Sequence, residues 1–139
     1  MNVAVSRRYR FAAAHVLRSD ALSDEENRRV YGKCSNLHGH DYGFEVEVTG
    51  PVDPISGQII APERLDGLVE RHVLGPLAHS DLSQHPWFAE RVSTAENVAR
   101  VIHEQLESPI AGEGRARLAS IRVQETRRNG FEYGGEAER

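Results

Sequence analysis

A chain of 139 residues is long enough for one ordinary domain and short for two, and its 39% apolar and 27% charged residues are the proportions of a soluble globular protein. A formal charge of −4 gives no electrostatic case for nucleic acid or an anionic membrane, so small molecules or copies of the chain itself are the expected partners. A single cysteine excludes an internal disulfide and points to a reducing compartment; with no apolar core in MNVAVSRRYRF and no run approaching the ~18 apolar residues of a membrane span, a cytoplasmic protein is expected.

Residues 3–15 alternate. Val3, Val5, Tyr9, Phe11 and Ala13 share one parity, with Asn2, Ser6, Arg8 and Arg10 on the other, which is the period of a strand with one buried face. This strand ends on His15, at buried parity. Residues 22–31, polar and acidic at the start, read as a short helical excursion with Ser23 as N-cap and Glu26 completing a capping box. The excursion leads to Gly32-Lys33-Cys34-Ser35-Asn36-Leu37-His38-Gly39-His40 and then to a second strand, where Tyr42, Phe44, Val46 and Val48 alternate with Asp41, Glu45, Glu47 and Thr49. His38 and His40 share the parity of the apolar set, so both imidazoles are expected to face the way the core does.

Gly50-Pro51-Val52-Asp53-Pro54 breaks the chain, and residues 55–60, with Ser56-Gly57, predict a turn and a short edge strand. Pro62 suits the first turn of a helix, where its missing N–H costs nothing. Leu65, Leu68, Val69, His72 and Val73 follow on one helical stripe, predicted to end at Gly75-Pro76, with His72 a core or interface residue. Residues 77–82 form a loop, a common location for catalytic groups. Ser93-Thr94-Ala95-Glu96 reads as a capping box opening a second amphipathic helix through Val98, Val101, Ile102 and Leu106, ended by Pro109 and Gly112. A last hairpin places Ala119, Ile121, Val123 and Glu125 on one parity, turns at Asn129-Gly130 in type I′ geometry and returns through Phe131 and Tyr133. The acidic stretch after Tyr133 is expected to fray.

Two strands thus each run an apolar face into histidine, and pairing them antiparallel brings His15 close to His38 and His40. Imidazoles at i and i+2 in a dry place need two partners, and a metal serves both. Three neutral imidazoles without thiolate or carboxylate leave a fourth tetrahedral position open, as in a catalytic zinc site. The alternative for His15 is a strand cap whose ring donates to a backbone carbonyl. Glu125 continues an apolar face, and a buried carboxylate without a partner is costly. Arg7 or Arg122 is the structural candidate for that partner; a ligand with a guanidinium-like edge is the functional one.

With these residues placed, the sequence resembles the 6-pyruvoyltetrahydropterin synthase family, which includes the bacterial 6-carboxytetrahydropterin synthases of the queuosine pathway. The resemblance spans nearly the whole chain, read as a single domain over residues 1–139, and rests on Phe11-Ala12-Ala13-Ala14-His15, Leu22-Ser23-Asp24-Glu25-Glu26-Asn27, Tyr31-Gly32-Lys33-Cys34, His38-Gly39-His40, Ser93-Thr94-Ala95-Glu96-Asn97-Val98-Ala99 and Val123-Gln124-Glu125-Thr126 in order. It implies the α+β tunnelling fold (T-fold), an antiparallel ββααββ sheet with two helices on one face. In that fold subunits join through their sheets into an oligomeric β-barrel, commonly a homohexamer of two stacked trimers with active sites between subunits. It also implies Zn²⁺ and a zinc-dependent lyase reaction on 7,8-dihydroneopterin triphosphate, giving a 6-pyruvoyl- or 6-carboxy-tetrahydropterin with loss of triphosphate.

Carried over by motif, His15, His38 and His40 bind zinc, Cys34 is the general base, and His79 is its partner from a neighbouring subunit. Glu125 grips the aminopyrimidinone edge of the pterin and Thr94 lies in the pterin pocket. The chemistry is coherent: an imidazole beside a thiol favours the thiolate, the form that takes a proton. One departure matters. The family usually has Asp-His where this chain has Ala78-His79, so His79 lacks its orienting carboxylate unless Asp81 supplies it. Residues 57–62 also depart from the family pattern, with a consequence expected for packing only. The LSDEEN and YGKC stretches resemble the pyruvoyl-forming enzymes, whereas the C-x3-H-G-H spacing is that of bacterial carboxy-forming relatives. The non-enzymatic alternative is a pterin- or purine-binding oligomer left by loss of the aspartate, against which Cys34 argues, since a binding module needs no thiol beside a metal.

Overall fold

Two strands carry the alternation read above, β1 (Asn2–His15) and β2 (His38–Pro51). The structure, a computed structural model, describes residues 2–134. β1 and β2 pair antiparallel without a break, from Asn2 opposite Pro51 to His15 opposite His38. β3 (Arg117–Gln124) adds to β2 and β4 (Gly130–Gly134) to β3, giving a four-stranded antiparallel sheet in the order β1-β2-β3-β4. Between β1 and β2 lie α1 (Asp24–Tyr31), with the expected Ser23/Glu26 capping box, and a 3-10 turn (Gly32–Ser35). Between β2 and β3 run α2 (Pro62–Val69), a π-helical segment (Glu70–Leu74), α3 (Gly75–Leu77) and α4 (Ala95–Ala111). Tyr42, Phe44, Val46 and Val48 of the sheet join Leu65, Val69, Val98 and Ile102 of the helices in one core. The α+β T-fold order holds, with the long helices on one face.

Five local expectations are corrected. The stripe after Pro62 does not stop at Gly75-Pro76. It widens into the π-helical segment, where the Gly75 N–H reaches the Glu70 carbonyl, and Pro76 then occupies the first turn of α3, where no N–H is required. Residues 55–60 form a turn without a strand: Asp53 takes the Ile55 N–H on its side chain (2.8 Å), its carbonyl takes the Gly57 N–H (2.8 Å), and Gly57 sits at φ 76°. The cap of α4 is Thr94, not Ser93; Asn97 donates its N–H to the Thr94 hydroxyl, Pro109 is carried inside the last turn, and Gly112 ends the helix.

In β3 the register steps from Glu47–Ser120 to Val48–Leu118, so Ala119 is an extra residue. A one-residue bulge reverses parity: Leu118 and Ile121 are both buried, and Ala119 leaves the core row. Finally, Gln124 pairs with Gly130, so residues 125–129 connect β3 to β4 and Asn129-Gly130 is not a type I′ turn. The ladder is left at Gln124 because Glu125 turns into the histidine corner. From residue 135 on, the expectation of a frayed tail lies outside the described residues.

One polar knot ties β1 to α2. Arg7 grips Asp66 with two hydrogen bonds (2.6 and 2.7 Å) and the Tyr9 hydroxyl donates a third (2.8 Å). The hydrogen bonds from Arg7 and then Tyr9 hold the Asp66 carboxyl at about 2 against the opposing effect of burial. Arg7 is therefore committed, and is not the partner of Glu125. No helix among the described residues is long and apolar enough to cross a membrane.

Candidate metal centre

The β1–β2 register sets His15 opposite His38 and Ala13 opposite His40, so three imidazoles share one face at one end of the sheet. Their ring centroids are 4.6, 4.8 and 5.0 Å apart. Glu125, just beyond the end of β3, is the fourth member. One ligand atom from each of His15, His38, His40 and Glu125 lies within 4.8 Å of the others.

Hydrogen bonding decides where the lone pairs are. His15 is fully buried, and its Nδ1 lies 2.7 Å from the Ser93 carbonyl and 3.0 Å from the Tyr42 hydroxyl. A carbonyl only accepts, so Nδ1 carries the proton and, in the neutral ring, Nε2 carries the lone pair. The same reasoning applies to His38, whose Nδ1 is 2.7 Å from the Asn36 carbonyl. The two Nε2 atoms face each other at 3.0 Å, acceptor against acceptor. His40 Nε2 is buried 2.9 Å from Glu125 Oε1, yet its alignment makes no hydrogen bond, and it has no hydrogen-bond partner among the described residues. His15 Nε2 lies 3.5 Å from the same oxygen. Two acceptors whose outward nitrogens are pinned by carbonyls, on His15 and His38, converge with a third buried ring nitrogen that makes no hydrogen bond, on His40, and the residues present fit a cation. The cap envisaged for His15 is thus real and compatible with ligation: the carbonyl takes Nδ1 and leaves Nε2 free.

A hydrogen bond from a protonated His15 ring lowers the Glu125 carboxyl from its ordinary range, burial opposes, and positive charge on the three rings lowers it further; a cation among neutral rings would act in the same direction. Burial pushes His40 down, Glu125 opposes, and the other two rings add to the lowering. Burial, then the Glu125 charge, pushes the Tyr42 phenol up. The two directions are those a cation site needs, the carboxyl eased toward its anion and the His40 ring toward its neutral form.

The remaining expected residues stand outside this cluster. Cys34 is half-buried in the Gly32–Ser35 turn, its carbonyl accepting the Leu17 N–H at 2.9 Å. His79 is exposed at φ 61°, a left-handed conformation uncommon for a residue with a Cβ, and its N–H is pinned to the Ala12 carbonyl at 2.6 Å. Residues 79–81 therefore run along the free side of β1, where Ala14 donates to the Ser80 carbonyl at 2.9 Å and bridges to Asp81. Asp81, the possible substitute for the missing aspartate, caps the following 3-10 turn by accepting the Ser83 N–H. Thr94 adjoins the Ser93 carbonyl that orients His15. Ser93 and Asn36 carry no sequence signal as orienting groups, because they act through backbone carbonyls that any residue possesses; Tyr42 reads from the sequence as a core residue, and only its parity with His40 hints at its contact with His15.

The profile of a family described as "6-pyruvoyl tetrahydropterin synthase" matches residues 4–136. The chain is 40% identical over 137 residues to 6-pyruvoyl tetrahydrobiopterin synthase of Homo sapiens, covering 95% of this chain and 91% of that one. It is 27% identical over 150 residues to 6-carboxy-5,6,7,8-tetrahydropterin synthase of Haemophilus influenzae, covering 93% and 96%. Among solved structures, 6-pyruvoyl tetrahydropterin synthase of Caenorhabditis elegans superposes with a TM-score of 0.90 at 37% identity, covering 98% of this chain and 97% of that one. With its fold, its histidine corner and these likenesses in agreement, the chain belongs to the 6-pyruvoyl tetrahydropterin synthase family.

Proposed function

We propose that the chain, as a single domain over residues 1–139, is a zinc-dependent lyase that converts 7,8-dihydroneopterin triphosphate to a 6-substituted tetrahydropterin with elimination of triphosphate. The observation that carries this reading is the convergence of the His15 and His38 Nε2 lone pairs with the unpartnered His40 Nε2, a donor set suited to zinc with an open position. Bound there, zinc supplies Lewis-acid polarisation of the substrate side-chain oxygens and so acidifies the neighbouring carbons. Cys34 takes the proton from carbon onto Sγ; the electron pair left behind forms the carbon–carbon double bond as triphosphate departs with the electrons of its carbon–oxygen bond. His79 acts with Cys34 from a neighbouring copy, a role supported by its exposed ring on the free side of β1. Glu125, held anionic, accepts the two N–H donors of the aminopyrimidinone edge. Thr94 borders that pocket.

The active form on this reading is a cytoplasmic homohexamer. β1 and β4 are the edges of the sheet, and the odd face of β1 leaves Val3 and Val5 at 36% and 38% exposure, which edge-to-edge closure into a barrel covers. The pyruvoyl product, on the way to tetrahydrobiopterin, is favoured over the carboxy product of queuosine synthesis by identities of 40% against 27%. The test is product mass after incubation with zinc and 7,8-dihydroneopterin triphosphate. The pyruvoyl mass is expected; the carboxy mass with acetaldehyde reassigns the branch, and unchanged substrate despite tight pterin binding leaves the Ala78 chain a binding oligomer.

A further inference from the structure

We propose that Asn27 is a positioning residue for Cys34: its carboxamide, in place of apolar packing, anchors the helix that delivers the thiol turn to the metal corner. The inference rests on the reading of Cys34 as the base. Asn27 is 1% exposed and is the one buried residue of α1; Val30 is 61% exposed and Tyr31, at the end of the helix beside the thiol turn, is only half-buried. An eight-residue helix with acidic and basic ends and no buried apolar side chain has little intrinsic reason to stay in one place. Asn27 provides one. Its Oδ1 accepts the Ser19 N–H at 2.8 Å, and its Nδ2 faces the carbonyls of Ser19 (3.0 Å), Ser23 (3.0 Å) and Leu22 (3.3 Å). Both sides of the amide are thus satisfied where no water reaches, the condition under which a buried polar group rigidifies its surroundings.

The chain path connects this knot to the thiol. From His15 the backbone passes Val16, whose N–H is held by the Ser83 hydroxyl at 2.6 Å, then Leu17, whose N–H holds the Cys34 carbonyl at 2.9 Å, and reaches Ser19 at the Asn27 amide. From Asn27 the helix runs to Tyr31 and directly into the Gly32–Ser35 turn. The loop is therefore closed twice, at Leu17–Cys34 and at Ser19–Asn27, and the second closure keeps the first in register. Apart from the exposed Arg18–Asp24 pair and the half-buried Tyr31, Asn27 is the side chain that ties this helix down, so the placement of Cys34 leans on it.

The test compares wild type with Asn27→Ala and Asn27→Asp, the latter keeping an acceptor for Ser19 but setting an anion against three carbonyls. In both variants zinc content is expected to be unchanged, kcat to fall about 10²-fold, the scale of a 1 Å misplacement, and KM to move by less than about threefold. Amide exchange across residues 16–35 should accelerate while β1 and β2 stay protected. A general structural role would instead lower zinc content or raise exchange in the strands, and either result overturns the proposal, as does unchanged kcat. Should Asn27→Ala not fold, the aspartate variant is read by the same measurements. Because exchange is independent of chemistry, loss of protection with a Cys34→Ala protein that still turns over refutes the base assignment, whereas a Cys34-dependent enzyme indifferent to Asn27 refutes this one.

Discussion

The three imidazoles ride on β1 and β2, where an unbroken ladder from Asn2–Pro51 to His15–His38 sets their spacing, and each outward nitrogen of His15 and His38 is pinned by a carbonyl. Cys34 and His79 sit on turns tied to the rest of the chain by a few local hydrogen bonds, through Leu17 for Cys34 and through Ala12 and Ala14 for the segment that carries His79, and the ring of His79 is exposed. Strand-borne groups inherit their geometry from the whole sheet, so a metal corner can be complete within one chain. Turn-borne groups depend on local polar anchors and on what the next copy brings. Damage to the first region should abolish metal binding; damage to the second should spare the metal and stop turnover.

The largest effect that tests this division is expected from His38→Ala/His40→Ala, which removes two ligands at once. Metal analysis should find zinc falling from one per chain to background, and undiminished zinc would place the ligands elsewhere. Next, Cys34→Ala should keep fold, zinc and pterin binding while turnover drops by about 10² or more, the usual worth of a positioned general base; near-normal turnover hands the proton to another group.

Glu125→Gln sharpens the comparison, since Glu125 touches the metal corner and also faces the ligand. One acceptor becomes a donor facing a donor, so affinity for neopterin should fall by about 2 kcal/mol, with zinc content and oligomer mass unchanged. Loss of zinc in this variant makes Glu125 a ligand of the metal, and equal neopterin affinity makes it structural. The smallest effect is expected at Asp66 of α2, which braces β1 through Arg7 and Tyr9 well away from the histidine end of that strand. Its carboxyl, ordinarily at 3.8, lies at about 2 in the fold, so its stabilisation is complete above the unfolded value and is lost as pH falls from there through the folded one. The side chain is 40% exposed, which screens the pair, and Asp66→Asn should cost no more than about 1 kcal/mol at neutral pH in urea unfolding. The two proteins should converge below the folded value, with zinc and turnover unaffected throughout.

Much of the site was legible because its residues obey a local period. His15, His38 and His40 take the parity of Phe11, Tyr42 and Phe44, and a strand that buries those rings must turn the histidines the same way. The Ser23–Glu26 box and Pro62 at a helix start were equally local. Gly75-Pro76 and Asn129-Gly130 misled because dipeptides that usually stop a helix or turn a hairpin were overruled, one by a π-helical widening and the other by a strand end at Gln124.

What the amino-acid order by itself determined was which residues of β1 and β2 face inward and where α1 and α2 begin, since both follow from neighbours within a turn or two. Tertiary structure alone decided the rest. It chose the bulge at Ala119, assigned the carbonyls of Ser93 and Asn36 to the imidazoles, and drew Glu125 into their company. These are contacts between residues far apart in the chain, often through backbone atoms that carry no side-chain signature, and only the packed sheet and helices bring them within hydrogen-bonding reach.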